Sequence, residues 1–120
     1  MAYTPNLGIE KLTPGQSSAH VTVNEAMDNF DRAIAGAYSF TGGGAVTLTG
    51  GQSTNHLLIC TSASSATTVT IQAVPKTWIA INRSAHSLSF KTPGQATPVT
   101  IASGAVRHIA CDGTDIVLVA

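Results

Sequence analysis

The apolar positions between residues 16 and 36 recur at steps of three and four, the period of one face of an α-helix. Thr22, followed three residues later by Glu25, forms a capping box that predicts where this helix begins, and Gly36 is its predicted C-cap. The helix should carry an apolar stripe of Val23, Ala26, Met27, Phe30, Ala33 and Ile34. The side chains expected to point away from the stripe are those of Asn24, Glu25, Asp28, Asp31 and Arg32. Because so short a helix is marginal alone, another surface must cover the stripe.

After residue 44 the period changes from 3.6 to 2, which predicts β-strands. In several runs threonine alternates with apolar residues, so one face of these strands should be buried. Residues 57–60 and 116–119 are apolar on both faces, which is typical of central strands or of strands at a subunit interface. Asp112-Gly113 predicts a hairpin that pairs the last two strands antiparallel. The predicted strands are 45–49, 57–61, 67–72, 77–82, 88–91, 99–102, 106–111 and 116–119.

These patterns predict a mostly β fold in three parts. Residues 1–36 form an N-terminal extended arm and one short docking α-helix, because Pro and Gly interrupt the few apolar anchors before residue 16. Residues 37–44 contain three consecutive glycines and are predicted to be a flexible joint. Residues 45–120 form the β domain, a small antiparallel β-sandwich or barrel of about eight strands.

Charged residues make up only 10 % of the chain, and the net charge is zero. Residues 1–36 hold two Lys or Arg and four Asp or Glu, a net charge of −2, whereas residues 37–120 hold four and two, a net charge of +2. Head-to-tail packing of subunits could use this asymmetry, although solvated scatter explains it as well. We predict no nucleic-acid partner, because binding of nucleic acid needs clustered Lys and Arg. We also predict no membrane partner, because no apolar run is long enough to span a bilayer.

The titratable residues predict no catalytic or metal chemistry. The four histidines are too far apart in sequence to chelate an ion, although a three-fold axis could gather one from each subunit. His20 is better explained as a local hydrogen bond that orients the arm. Asp112 and Asp115 are expected to serve the turn that contains them, and Cys60 and Cys111 to be reduced, buried apolar residues. We therefore expect no enzyme activity, no metal and no cofactor.

Carbohydrate binding is the alternative function that the β domain suggests. Lectin-like modules stack exposed aromatic rings on sugars, and Trp78, which opens a predicted strand, is the possible glycan contact. Phe90 lies on the same alternating face as Leu88 and is therefore expected in the core. A half-buried structural Trp78 is the competing interpretation.

Several short motifs in the first third of the chain carry a resemblance to a known family: Leu7-Gly8, Leu12 to Pro14, Gly15-Gln16, His20-Val21-Thr22 and Asn24-Glu25-Ala26. Together they resemble the short N-terminal module, a domain of unknown function, of phage and prophage virion proteins. In that family the module precedes fibre-like β domains, and residues 75–114 are similar in rhythm to small β domains of phage fibres.

The resemblance implies a structural component of a tailed-phage virion, such as a capsid decoration, a short head fibre or a tail fibre or adaptor protein. Such a protein is made in the host cytoplasm and is located in the virion. Its partners would be itself, as a homotrimer, and other capsid or tail proteins, with a host surface glycan under the lectin alternative. The residues expected to dock or assemble are Leu7, Leu12, His20, Val23, Met27, Phe30 and Ile34.

Overall fold

The computed structural model describes residues 3–11 and 19–120. Strands hold more than twice as many of the described residues as helices do, which confirms the mostly β prediction. The elements in chain order are α1 (Ala19–Ala35), β1 (Ala37–Thr47), α2 (Gly50–Ser53), β2 (Leu57–Thr70), β3 (Lys76–Asn82), β4 (Leu88–Lys91), β5 (Val99–Ile101), β6 (Val106–Cys111) and β7 (Ile116–Leu118).

Helix α1 ends where the sequence predicts but begins earlier. It starts at Ala19, so Thr22 lies inside it, and the predicted capping box of Thr22 is wrong. A capping hydroxyl belongs to a residue outside the helix, whereas the residues from Ala19 onward, before Thr22, are already helical. A capping box does form at α2, where Thr49 Oγ1 accepts from Gln52 N at 3.2 Å and Gln52 Oε1 accepts from Thr49 N at 2.9 Å.

The seven strands form one nearly closed, barrel-like sheet. Its order is β5-β4-β2-β3-β6-β7, and β1 lies along the other edge of β2. The expectation of a wholly antiparallel sheet is wrong, because β2 pairs in parallel with β1, β3 and β4. The three antiparallel pairs are β3–β6, β4–β5 and β6–β7. The last pair confirms the hairpin predicted at Asp112-Gly113.

Residues 37–44 are expected to form a flexible joint, but they are part of strand β1. Its ladder with β2 has two register shifts, one of them at the glycines, and 11 residues of β1 lie beside 14 residues of β2. Gly43 and Gly44 have φ values of 143° and 72°, which L side chains rarely adopt. Bulges of this kind bend paired strands, so the glycines form the bend of a two-stranded ribbon.

Chain length also requires the bend. Straight strands would separate the two ends of β1 by about 33 Å. The connection from Thr47 to the start of β2 has ten residue steps, and four of its residues are helical in α2, so it reaches only about 27 Å. The ribbon therefore curves, and the two halves of β2 present the same edge first to β3 and then to β4. Because the ribbon is curved, short connections are enough for β2 to pair in parallel with β1, β3 and β4.

The core fills the inside of the curved sheet. Trp78, Phe90 and Leu58 are among its largest fully buried side chains, which confirms the core position predicted for Phe90. Cys60 and Cys111 are both free and buried in the same cluster, as predicted. Alternate residues of the strands face this cluster, so the other face of the sheet lies outside it.

Two buried amides that the sequence analysis did not single out hold the loops of the domain. Gln95 Oε1 accepts from Ile116 N at 2.8 Å, and Gln95 Nε2 donates to Ile116 O at 2.9 Å. Because Gln95 follows β4 and Ile116 begins β7, this pair of bonds ties the two ends of the sheet together. Asn82 Nδ2 similarly donates to His86 O at 2.8 Å and to Ile101 O at 3.1 Å.

Candidate docking site

The N-terminal arm, residues 3–11, forms a compact turn. Tyr3 and Glu10 make an antiparallel bridge, and Thr4 N donates to Ile9 O at 2.9 Å. Thr4 Oγ1 accepts from Ile9 N at 2.9 Å, so Thr4 holds the turn with both its backbone and its buried side chain. Gly8 at φ 66° supplies the left-handed residue that the turn needs. The described part of the arm is thus a folded loop and not the extended segment predicted.

Asp31 of α1 anchors this loop. Its carboxylate has no exposed surface and accepts from Leu7 N at 2.7 Å, from Asn6 N at 2.9 Å and from Asn6 Nδ2 at 2.6 Å. Burial acts to raise the pKa of Asp31, but hydrogen bonds from Thr4, Leu7 and Asn6 outweigh it and hold the pKa below its ordinary value. The site therefore favours the ionised carboxylate, both oxygens of which can accept hydrogen bonds.

A second contact holds the end of the arm against the same side of α1. Lys11 Nζ lies 2.8 Å from Asp28 in a half-exposed ion pair. The periodicity of α1 predicts that Asp28 and Asp31 point outward on its polar side. The prediction of solvent-facing side chains is wrong for Asp31, because the arm covers this part of the helix.

The apolar side of α1 remains exposed. We call Val23, Met27, Phe30 and Ile34 the helix stripe; Phe30 is 65 % and Ile34 63 % exposed, Val23 is exposed, and Met27 is half-buried. The side chain of Leu7, on the arm, is also exposed. Five of the seven predicted docking residues thus lie on the arm–helix lobe, Leu7 on the arm and the other four on the helix stripe. Leu12 and the side chain of His20 lie outside the described residues.

The helix joins the β domain at Gly36. Arg32 O accepts from Gly36 N at 2.9 Å and from His56 N at 3.1 Å, and Leu57 N donates to Gly36 O at 3.0 Å. A side chain on Gly36 would place its Cβ 2.7 Å from Arg32 O and against the Asn55 amide. Gly36 thus follows the helix as predicted. A glycine is needed there because neighbouring groups leave no room for a Cβ, and not because the backbone is left-handed.

The aromatic residues of the β domain are turned inward. Trp78 is 1 % exposed, and its Nε1 donates to Ser53 O at 2.7 Å. Phe40 and Phe90 are buried, and the half-buried Tyr38 stacks on Phe40 with ring centroids 6.1 Å apart. The prediction of Trp78 as a glycan contact is therefore wrong, because the ring is buried in the core and its N–H is bonded to α2.

A cleft and a turn carboxylate lie at the β6–β7 hairpin of the β domain. A cleft of about 430 Å³ lies beside the turns at residues 92–94 and 113–115. Next to it, Asp112 Oδ1 accepts from Thr114 N and Asp115 N, both at 2.9 Å, and these backbone donors hold the pKa of Asp112 below its ordinary value. Asp112 therefore serves its turn, as predicted. Within residues 3–11 and 19–120, no three His, Cys, Asp or Glu side chains are grouped to hold a metal ion.

No helix among the described residues is both long and apolar enough to cross a membrane. No family model, curated protein or solved structure matches this chain.

Proposed function

We propose that this protein is a structural component of a tailed-phage virion: a capsid decoration, a short head fibre or a tail fibre or adaptor protein. It assembles with copies of itself, as a homotrimer, and docks on other virion proteins through its arm–helix lobe. The observation that carries the proposal is the exposed helix stripe. The resemblance of the N-terminal motifs to virion proteins supports the viral assignment.

The exposure of Phe30 and Ile34 argues for assembly because it has an energetic cost that burial against a partner recovers. Large apolar side chains scattered singly on a surface are ordinary, but a row of them along one helix face marks an interaction site. Burying Phe30 and its neighbours at about 25 cal/mol per Å² would contribute several kcal/mol per chain. The arm contacts Asp28 and Asp31 beside this row and leaves the row itself free for a partner.

The first test is the mass of the protein in solution, measured by light scattering at micromolar concentration. With a chain of 12.2 kDa, the homotrimer has a mass of 36.6 kDa, three times that value. Phe30→Ala should lower the mass to that of the monomer, because it removes the largest exposed ring of the stripe. The control is Val21→Ala: Val21 is 47 % exposed but lies on a different side of α1, and the variant should keep the wild-type mass.

The monomer itself should hardly change in stability with Phe30→Ala, because a ring exposed in the isolated chain contributes little to folding, within about 0.5 kcal/mol. Sedimentation of the wild-type protein with purified phage heads and, separately, tails then tests the virion role. Binding to one of the two particles that Phe30→Ala weakens would support docking through the helix. A monomeric wild-type protein that binds neither particle would overturn the proposal.

A further inference from the structure

A second apolar surface lies on the outside of the sheet. Strands β2 and β3 turn Leu58, Cys60, Trp78 and Ala80 into the core, so Leu57, Ile59, Ile79 and Ile81 point to the opposite face. These four side chains are half-buried and lie outside the core cluster. Soluble sheets that face water on one side usually carry polar residues there.

Strand register makes this surface continuous. Leu57 pairs with Ile79 and Ile59 pairs with Ile81, so the four side chains form two adjacent rows. Ile81 pairs in turn with Val106, which is 58 % exposed. On the next strand, Val117 is also exposed and pairs with Ala110. We call this surface the outer sheet face, and its residues are Leu57, Ile59, Ile79, Ile81, Val106 and Val117.

The chain's own helix projects away from the β domain. The molecule measures 49 × 27 × 24 Å, and a helix of 17 residues is about 25 Å long, so the long dimension is close to one helix plus one β domain. The hydrogen bonds from His56 and Leu57 hold only the last turn of α1 and Gly36. The helix stripe and the outer sheet face are therefore two separate apolar surfaces of one chain.

The two parts of the chain that carry these surfaces have opposite net charges. The segment that contains α1 has a net charge of −2 and the remainder has +2. Glu10 and Glu25 are exposed on the arm–helix lobe, whereas Arg83, two residues after Ile81, is exposed where β3 ends. Opposite net charges on the two parts of the chain favour contact between the lobe of one copy and the β domain of another and disfavour contact of either part with itself.

We infer that the helix stripe of one copy packs on the outer sheet face of a second copy. This inference rests on the proposed self-assembly and names the surface that receives the helix. The contact is head-to-tail, and in the proposed homotrimer it closes into a ring in which each helix covers the sheet of the next copy. It leaves no stripe or outer sheet face uncovered.

Cross-linking between two variants tests the contact. Phe30→Cys and Val106→Cys each add one accessible thiol, since Cys60 and Cys111 are buried. One variant carries a mass tag, the two are mixed in equal amounts and oxidised, and the products are separated without reductant. We expect the mixed, tagged-plus-untagged dimer to exceed either self-linked dimer at least fivefold. Val21→Cys mixed with Val106→Cys is the control and should give little mixed product.

A predominant Phe30→Cys self-linked dimer would overturn the inference, because the helices would then pack on each other. Equal mixed product from Val21→Cys would overturn it too. Because Phe30→Cys itself weakens the stripe, a second measurement uses Val106→Asp, which should reduce the solution mass to 12.2 kDa. Val74→Asp changes a similarly exposed valine in the β2–β3 loop and should keep the oligomer.

The solution mass separates the two possible failures. A wild-type oligomer that Val106→Asp leaves intact would refute the helix-on-sheet contact and leave the proposed self-assembly standing. A monomeric wild-type protein would refute both.

Discussion

A single carboxylate organises the arm–helix lobe. Asp31 accepts three hydrogen bonds from Asn6 and Leu7, residues 24 and 25 positions earlier in the chain. The periodicity of α1 predicts instead that Asp31 points to solvent, since it lies among the polar positions of the helix. Nothing local in the sequence signals the contact, because its partners belong to another segment and two of the donors are backbone amides. Only the placement of the arm reveals it.

The Asp31 anchor should make the arm sensitive to acid. Its pKa is lowered in the folded state, so its contribution is fully present above the unfolded pKa of about 4 and is lost as the pH falls through the folded value. Amide hydrogen exchange at Asn6 and Leu7, followed by NMR from pH 6 to pH 3, should show protection that disappears only in the acid range. Asp31→Asn should reduce protection about tenfold already at pH 6, because a neutral amide is a weaker acceptor.

Asp112→Asn is the matched control for this experiment. Its carboxylate also has a lowered pKa, but it caps a turn of the β domain. The exchange of Asn6 and Leu7 should be unchanged in this variant. Protection that persists in Asp31→Asn would contradict the anchoring role.

At the scale of elements, the joint between α1 and β1 fixes the direction in which the helix projects. Gly36 lies between the two elements without a connecting loop, and Arg32 O receives hydrogen bonds from both Gly36 and His56. The glycine at the end of the helix is evident from the sequence. The immediate start of the first strand is not, because a run of glycines is typical of loops and only the pairing with β2 makes this run a strand.

Gly36→Ala should therefore destabilise the joint. The new Cβ would lie 2.7 Å from Arg32 O, and neither the helix carbonyl nor the paired strand can move away easily. We expect a loss of about 1–3 kcal/mol in the free energy of unfolding, measured by urea titration. Gly51→Ala, in α2, meets no atom within 4 Å and should change the stability by less than about 0.5 kcal/mol. Similar values for the two variants would refute the steric role of Gly36.

At the scale of the molecule, the protein is elongated and carries apolar surface on both of its parts. Its radius of gyration is 16.1 Å, whereas a compact domain of this length has about 14 Å. The difference reflects the projecting lobe, which contributes little to the core of its own chain. The proposed assembly therefore predicts that folding stability depends on neighbours.

The thermal midpoint of unfolding should rise with protein concentration, because mass action stabilises an oligomer of folded chains. We expect an increase of about 2–5 °C for each tenfold rise in concentration, measured by circular dichroism from 1 to 100 μM. The midpoint of Phe30→Ala should be lower and independent of concentration. A wild-type midpoint that does not change over this range would contradict assembly through the stripe.

The sequence alone determined what depends on neighbours along the chain. Period and turn chemistry identified α1, the mostly β character, the final hairpin and most of the strands, because side-chain alternation and Asp-Gly turns are local properties. The same alternation identified the helix stripe and the two-faced apolar strands, which belong to the surfaces that we propose to meet. The core positions of Phe90, Cys60 and Cys111 followed from the same pattern.

Tertiary structure decided what depends on distant partners. The parallel pairing of β2 follows from the bend of the β1–β2 ribbon, which no local period encodes. Trp78 packs in the core, and α2 supplies the acceptor for its indole N–H at Ser53 O, 25 residues away. Asp31 is buried because the arm brings three donors to it. In each case the free energy lies in contacts between segments that are remote in sequence, so the residue alone could not indicate which of its faces would be covered.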